Sequence, residues 1–200
     1  VTVVVFDIGG VLIDWNPRYV YRTLFDGDEA AMEHFLAHVC SHDWNLMQDA
    51  GRPFAEGVAE LTERFPEHAE LIAAYDTRWE EMVTGAIDET VAILRELEAR
   101  GTPLYALTNF STEKLPLCRR RFDFFEAFAG VVVSGEIGMV KPDRAIYDHL
   151  VETYDVAPAR CLFIDDNQDN VAGARDAGWQ AVKYASPDQL RRELTRRGLL

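Results

Sequence analysis

The chain has 200 residues, enough for one domain or for a domain carrying a sizeable insertion, and 48% of them are hydrophobic. A formal net charge of −14 argues against a general nucleic-acid binder, so an anionic substrate would have to be drawn by local positive charge or by a metal. Cys40, Cys118 and Cys161 are sparse and show no metal-ligand spacing, and no apolar run approaches membrane-spanning length. With no signal peptide before the first strand, the expectation is a cytoplasmic protein, monomeric or homodimeric, with no nucleic-acid or membrane partner.

Near the start, Val3-Val4-Val5-Phe6 reads as a fully buried parallel strand that meets Asp7 and then breaks on Gly9 and Gly10. A carboxylate at the C-terminal end of such a strand sits where open α/β sheets place their ligand crevice. Burying Asp7 is costly unless a cation or hydrogen-bond donors meet it. The alternative is that it only caps the following turn. Asn16-Pro17 then signals a turn or a helix start, and from about Arg18 to Val83 the pattern is helical with no convincing strand. Helices are expected from Arg18, from Asp28 to about Cys40, from Phe54 to Arg64, and from about Glu67 to Trp79. This block carries Trp15, Trp44 and Trp79 and reads as a helical insertion in an α/β domain, suited to a cap or lid. Taken singly, its aromatic residues read first as packing for a small bundle.

Strand and helix alternate from there on, which implies a parallel, doubly wound sheet of Rossmann-like type. A helix over Ile87–Arg100 leads to the strand Pro103–Leu107, which ends in Thr108-Asn109. A further helix is expected over about Thr112–Arg121, followed by a strand over Gly130–Ser134. Gly135 to Val140 reads as a glycine-punctuated loop that delivers Lys141-Pro142. Cys161–Ile164 is another buried strand and ends in Asp165-Asp166-Asn167. Asp7, Thr108-Asn109 and Asp165-Asp166 thus lie on one edge of the sheet, with Lys141 arriving from the loop. Singly, each has a plain structural role: Thr108-Asn109 or Asp165-Asp166 as a helix cap, Lys141 as a solvated loop residue. Together they suit phosphoryl transfer. Asp7 would attack phosphorus, Mg²⁺ would screen the repulsion between anions, Lys141 would neutralise the phosphoryl oxygens, and Thr108 would donate to one of them.

These residues resemble the four motifs of the haloacid dehalogenase superfamily over essentially the whole chain. Phe6-Asp7-Ile8-Gly9-Gly10-Val11-Leu12 is similar to the first, Leu107-Thr108-Asn109 to the second, Lys141-Pro142 to the third, and Phe163-Ile164-Asp165-Asp166 with Asn170 to the fourth. The resemblance implies a core over 1–14 and 85–200 with a helical cap over 15–84. It further implies an aspartyl intermediate on Asp7 and a Mg²⁺ site formed by Asp7, the Gly9 carbonyl and Asp166, with Asp165 and Asn170 completing it. Gly9, Gly10, Asn109 and Trp44 are the expected substrate contacts. Phosphatases of this family usually carry a second Asp two residues after the nucleophile, where this chain has Gly9. A subgroup resembling a bacterial glucose-1-phosphatase shares that Gly, whereas dehalogenases usually place a bulky residue there and dispense with the acidic pair. The expectation is therefore a phosphatase acting on a small metabolite such as a sugar phosphate. A 2-haloacid dehalogenase and a catalytically silent binding protein are the alternatives.

Overall fold

The computed structural model describes residues 2–200. In chain order, β1 (Val3–Phe6) is followed by β2 (Ile13–Trp15) and then by five helices: α1 (Arg18–Leu24), α2 (Glu29–His38), α3 (His42–Asp49), α4 (Phe54–Arg64) and α5 (Ala69–Thr77). The chain returns through β3 (Val83–Ala86) to α6 (Asp88–Ala99), β4 (Leu104–Thr108), α7 (Leu115–Arg121), β5 (Gly130–Val133) and the short α8 (Ser134–Ile137). It finishes with α9 (Arg144–Thr153), β6 (Cys161–Asp165), α10 (Gln168–Asp176), β7 (Gln180–Lys183) and α11 (Pro187–Arg196).

Five strands form a wholly parallel sheet in the order β5-β4-β1-β6-β7. Successive side chains of a strand point to opposite faces, so Val4 and Phe6 of β1 enter one apolar layer while Val3 and Val5 enter the other. The first layer is closed by Ile93, Leu94 and Leu97 of α6 together with Leu190 and Leu194 of α11. Ile146, Tyr147 and Leu150 of α9 and Val171 of α10 close the second. Burial on both faces explains why β1 and β6 read as unbroken apolar runs without alternation. The architecture is the Rossmann-like α/β fold expected from the sequence.

Between β1 and β4 the chain detours through the five-helix bundle. β2 and β3 pair antiparallel where it leaves and rejoins the core, with Ile13 opposite Ala86 and Asp14 opposite Gly85. The sequence pattern missed this ribbon, because three residues beside a glycine turn are too few to show a period. It also missed α3, which starts at Ser41, whose side chain accepts from Trp44 N. The helix expected from Thr112 begins at Leu115, and the loop expected from Gly135 opens as α8 and turns at Gly138.

Candidate active site

β1, β4 and β6 are neighbours in register, so their C-terminal ends bring Asp7, Thr108 and Asp165 to one edge of the sheet. Lys141 Nζ lies 2.9 Å from Asp7 Oδ1 and 2.7 Å from Asp165 Oδ2. Only 2% of Lys141 is exposed. Burial works against its charge, but Asp7 and Asp165 more than offset that and hold it protonated, above the usual lysine range. Asp165 is saturated: Oδ1 accepts from Asn167 N at 2.7 Å and Asn170 Nδ2 at 3.2 Å, while Oδ2 takes Lys141 and Asn170. Asp7 Oδ1 also accepts from Ile8 N at 2.7 Å. No hydrogen bond among the described residues reaches Asp7 Oδ2.

One oxygen from each of Asp7, Asp165 and Asp166 falls within 4.8 Å of the others. Three carboxylates face one buried ammonium, Lys141, while exposed Lys183 acts on Asp166 from the rim. Burial pushes the Asp7 carboxyl up to about 8, with Asp165 and Asp166 adding to the rise against Lys141. Asp166, the exposed member, is raised by desolvation and by Asp165. A hard divalent cation with oxygen ligands is the chemistry such a donor set fits. Gly10 makes room for it: its φ is +71°, and a Cβ there would lie 2.4 Å from Asp166 Oδ2.

Above the cluster lies a cavity of about 440 Å³, walled by Asp7, Gly9, Lys141 and Asp166 from the core and by Asn45 and Asp49 from α3. A side pocket of about 70 Å³ opens beside Gly9 and shares Trp15, Asn45 and Asp49 with the larger cavity. Four buried polar side-chain atoms among the described residues lack a hydrogen-bond partner. Three of them, Thr108 Oγ1, Asn45 Oδ1 and Trp15 Nε1, belong to this region.

The family model for haloacid dehalogenase-like hydrolases matches residues 1–178. The chain belongs to that family. Among relatives of this hydrolase, a sesquiterpene phosphatase of Aspergillus oryzae is 26% identical over 177 residues, covering 87% of this chain and 85% of the relative. An (S)-2-haloacid dehalogenase of a Pseudomonas species is 28% identical, covering 88% and 73%. Some other relatives match only about half of this chain and are spanned for less than half of their own length. A haloacid dehalogenase family enzyme of Bacteroides thetaiotaomicron was solved with magnesium and inorganic phosphate. It superposes with a TM-score of 0.69 at 22% identity, covering 93% of this chain and 95% of that one.

The hydrolase brings Asp7, Gly9, Gly10, Asn109, Lys141 and Asp166 to the large cavity, with Thr108 and Asp165 buried in the floor of the site. Three residues stand differently from the sequence expectation. Asn109, expected against substrate, is spent holding Lys141: its Oδ1 accepts from Lys141 N at 2.8 Å and its Nδ2 donates to Lys141 O at 3.0 Å. Asp165, expected on the metal, has both oxygens engaged by protein donors, which leaves Asp166 the more accessible carboxylate. Trp44, expected against substrate, lines neither pocket of the site. Its ring meets Phe54 and Tyr75 inside the bundle, and its Nε1 donates to Gly57 O at 3.2 Å. One helical step along α3 moves a side chain off that face, so Asn45 and Asp49 reach the cavity instead. The Ser41 cap was the signal that could have disclosed them.

Proposed function

We propose that this hydrolase is a Mg²⁺-dependent phosphomonoester hydrolase acting on a small phosphorylated metabolite, with a sugar phosphate as the substrate class. The observation that carries this reading is Asp7 itself. One of its oxygens is fixed by Lys141 and Ile8, the other is free, and an acidic cluster short of positive charge adjoins it. In this reading Asp7 Oδ2 attacks phosphorus and forms an aspartyl-phosphate. Lys141 balances charge on the phosphoryl oxygens, and the partnerless Thr108 hydroxyl donates to one of them. Asp7, the Gly9 carbonyl and Asp166 would hold Mg²⁺, with Asp165 behind them. The cation would supply charge neutralisation to an anionic substrate. The helical segment 15–84 acts as the cap that encloses the leaving group, and 1–14 with 85–200 form the core that performs the chemistry.

The Pseudomonas relative keeps a second reading in play, displacement of halide from a 2-haloacid by Asp7. The exposed Asp166 carboxylate beside the nucleophile favours the first reading, because attack on a haloacid carbon gives no use for a metal-binding acid. The deciding assay measures phosphate release from phosphorylated metabolites and halide release from 2-haloacids, with and without EDTA, against an Asp7→Asn control. Phosphate release that EDTA and Asp7→Asn both abolish is the expected result. Halide release indifferent to EDTA would make the chain a dehalogenase, and release of neither would leave a binding protein.

A further inference from the structure

A phosphatase of this build leaves one proton without a source. When the bond from phosphorus to the leaving oxygen breaks, the electron pair stays on that oxygen, and an alkyl alkoxide departs slowly unless it is protonated as it leaves. Lys141 is held by two carboxylates, and Gly9, two residues beyond Asp7, brings no side chain. We propose that Asp49, at the end of α3, is the catalytic residue that protonates the leaving oxygen, an assignment that rests on the phosphatase reading.

Position comes first. Asp49 lines both the large cavity and the side pocket beside Gly9. His42 and Asp169, the other residues of the cavity wall able to carry a proton outside the acidic cluster, line the large cavity alone and are exposed. Asp49 is half-buried and held from two sides. Its Oδ2 accepts from Asn45 Nδ2 at 3.0 Å. Its backbone carbonyl accepts from the hydroxyl of buried Ser134, which in turn accepts from Phe110 N at 2.9 Å. The turn after Asp49 comes so close to the core that a Cβ on Gly51, whose φ is +110°, would lie 2.9 Å from Gly135 O.

The pocket beside Asp49 is also built for a polar guest. Asn45 Oδ1, on a residue only 8% exposed, and Trp15 Nε1 are an acceptor and a donor that no protein group satisfies. A departing hydroxyl can meet both. Burial pushes the Asp49 carboxyl up to about 7, against the Ser111 backbone amide and Lys141, which favour its ionised form. The other ionisable groups around it are Tyr75 of α5, Lys114 ahead of α7 and, across the large cavity, Asp7, Arg18, His42, Asp166 and Asp169. Lys114 is itself paired with Asp76.

The step balances. As Asp7 Oδ2 bonds to phosphorus, the bond to the leaving oxygen breaks and its electron pair takes the Asp49 proton. The products are the free alcohol, aspartyl-phosphate and an Asp49 carboxylate. In the second half, water attacks phosphorus and gives its proton to Asp49, releasing inorganic phosphate and the Asp7 carboxylate.

The test is kcat/KM, which reports the steps through leaving-group departure, measured for an alkyl and an aryl phosphate at saturating Mg²⁺. Asp49→Asn should lose about 100-fold or more on the alkyl ester, the usual worth of a general acid, and far less on the aryl ester, whose phenolate departs unaided. Its Mg²⁺ affinity, read by calorimetry, should stay at the parental value. Adding Gly9→Asp to that variant should recover about tenfold or more on the alkyl ester, since a Cβ at Gly9 meets no atom within 4 Å. Equal losses on both esters would overturn the assignment while leaving the phosphatase reading intact. A parent that cleaves neither ester would sink both. If Asp49→Asn does not fold, the parent decides: a steep dependence on leaving-group pKa overturns the assignment. A flat dependence, with alkyl kcat/KM falling as pH rises through about 7, supports it.

Discussion

Replacing Lys141 with Met removes the buried cation of the carboxylate cluster while keeping most of its length, and the structure fixes what should follow. The ammonium sits within 3 Å of both partners, at 2.9 Å from Asp7 and 2.7 Å from Asp165, and Asp7 and Asp165 are 7% and 0% exposed. Breaking a buried ion pair from one side costs about 3–5 kcal/mol, because the remaining charge has no partner. Asp165 keeps its bonds from Asn167 and Asn170, so the burden falls on Asp7. That carboxyl is already pushed up to about 8 with Lys141 present. Without the lysine it should take up a proton more readily still, so the destabilisation should shrink as pH falls. Urea unfolding in EDTA is therefore expected to show a loss of about 3 kcal/mol or more at pH 8 and less near pH 5. Mg²⁺ at a hundred times its Kd should restore up to roughly 3 kcal/mol by binding only the folded state. Turnover should stay at least about a hundredfold below the parent even then, since Mg²⁺ does not replace the charge over the phosphoryl oxygens. A variant within about 0.5 kcal/mol and tenfold of the parent, at all pH values and without metal, would show that Lys141 holds neither the cluster nor the reaction.

Three further substitutions probe separate parts of the molecule. Gly10→Ala should weaken Mg²⁺ binding about tenfold or more in a metal titration, because its Cβ would fall 2.4 Å from Asp166 Oδ2; an unchanged affinity would remove Asp166 from the metal site. Trp44→Phe should cost about 1 kcal/mol through loss of its bond to Gly57 O and leave the substrate profile of a metabolite panel as it was. A shifted profile would return Trp44 to the substrate. For Asp49→Asn the sign comes from proton binding. The folded carboxyl keeps its proton up to about pH 7, whereas the unfolded one loses it near pH 4, so parental stability falls as pH rises between them. The variant lacks that fall and should be more stable than the parent at pH 8, by at most about 4 kcal/mol, and no more stable near pH 4. An advantage equal at both pH values would mean that Asp49 carries no buried charge.

The strand ends of the candidate site were legible because each breaks a buried apolar run with a polar group, a violation visible without knowledge of any contact. Asp7 after Val3–Phe6 and Asp165 after Cys161–Ile164 are of this kind, and the fold follows from the same runs. What the individual oxygens do was not legible. Asp165 and Asp166 are adjacent in the chain, yet one is sealed by Lys141, 24 residues away, and by Asn170 on the helix that follows, while the other faces the cavity. Asn109 likewise looks like a substrate contact until the loop bearing Lys141 folds over it. Trp44 and Asp49 show the limit most plainly. Both lie on one short helix that the periodicity did not reveal, and without its phase the large aromatic outweighed the small acid.

The β2–β3 ribbon has a consequence for how such a chain can vary. The helical segment leaves the sheet and comes back on two strands that pair with each other, with Arg121 of α7 donating to Val83 O at 2.8 Å and to Thr84 O at 2.9 Å. Whatever is strung between Trp15 and Val83, the ends arrive side by side, and the register of β1 against β4 does not depend on its length. The segment is therefore a graft on a fixed stem. Exchanging it would leave Asp7, Lys141 and Asp166 where they are, but Asp49 would travel with the graft. If the segment is the cap and Asp49 the proton donor, as proposed above, a borrowed bundle would bring a new choice of substrate and, in the same stroke, its own answer to where the leaving group finds a proton.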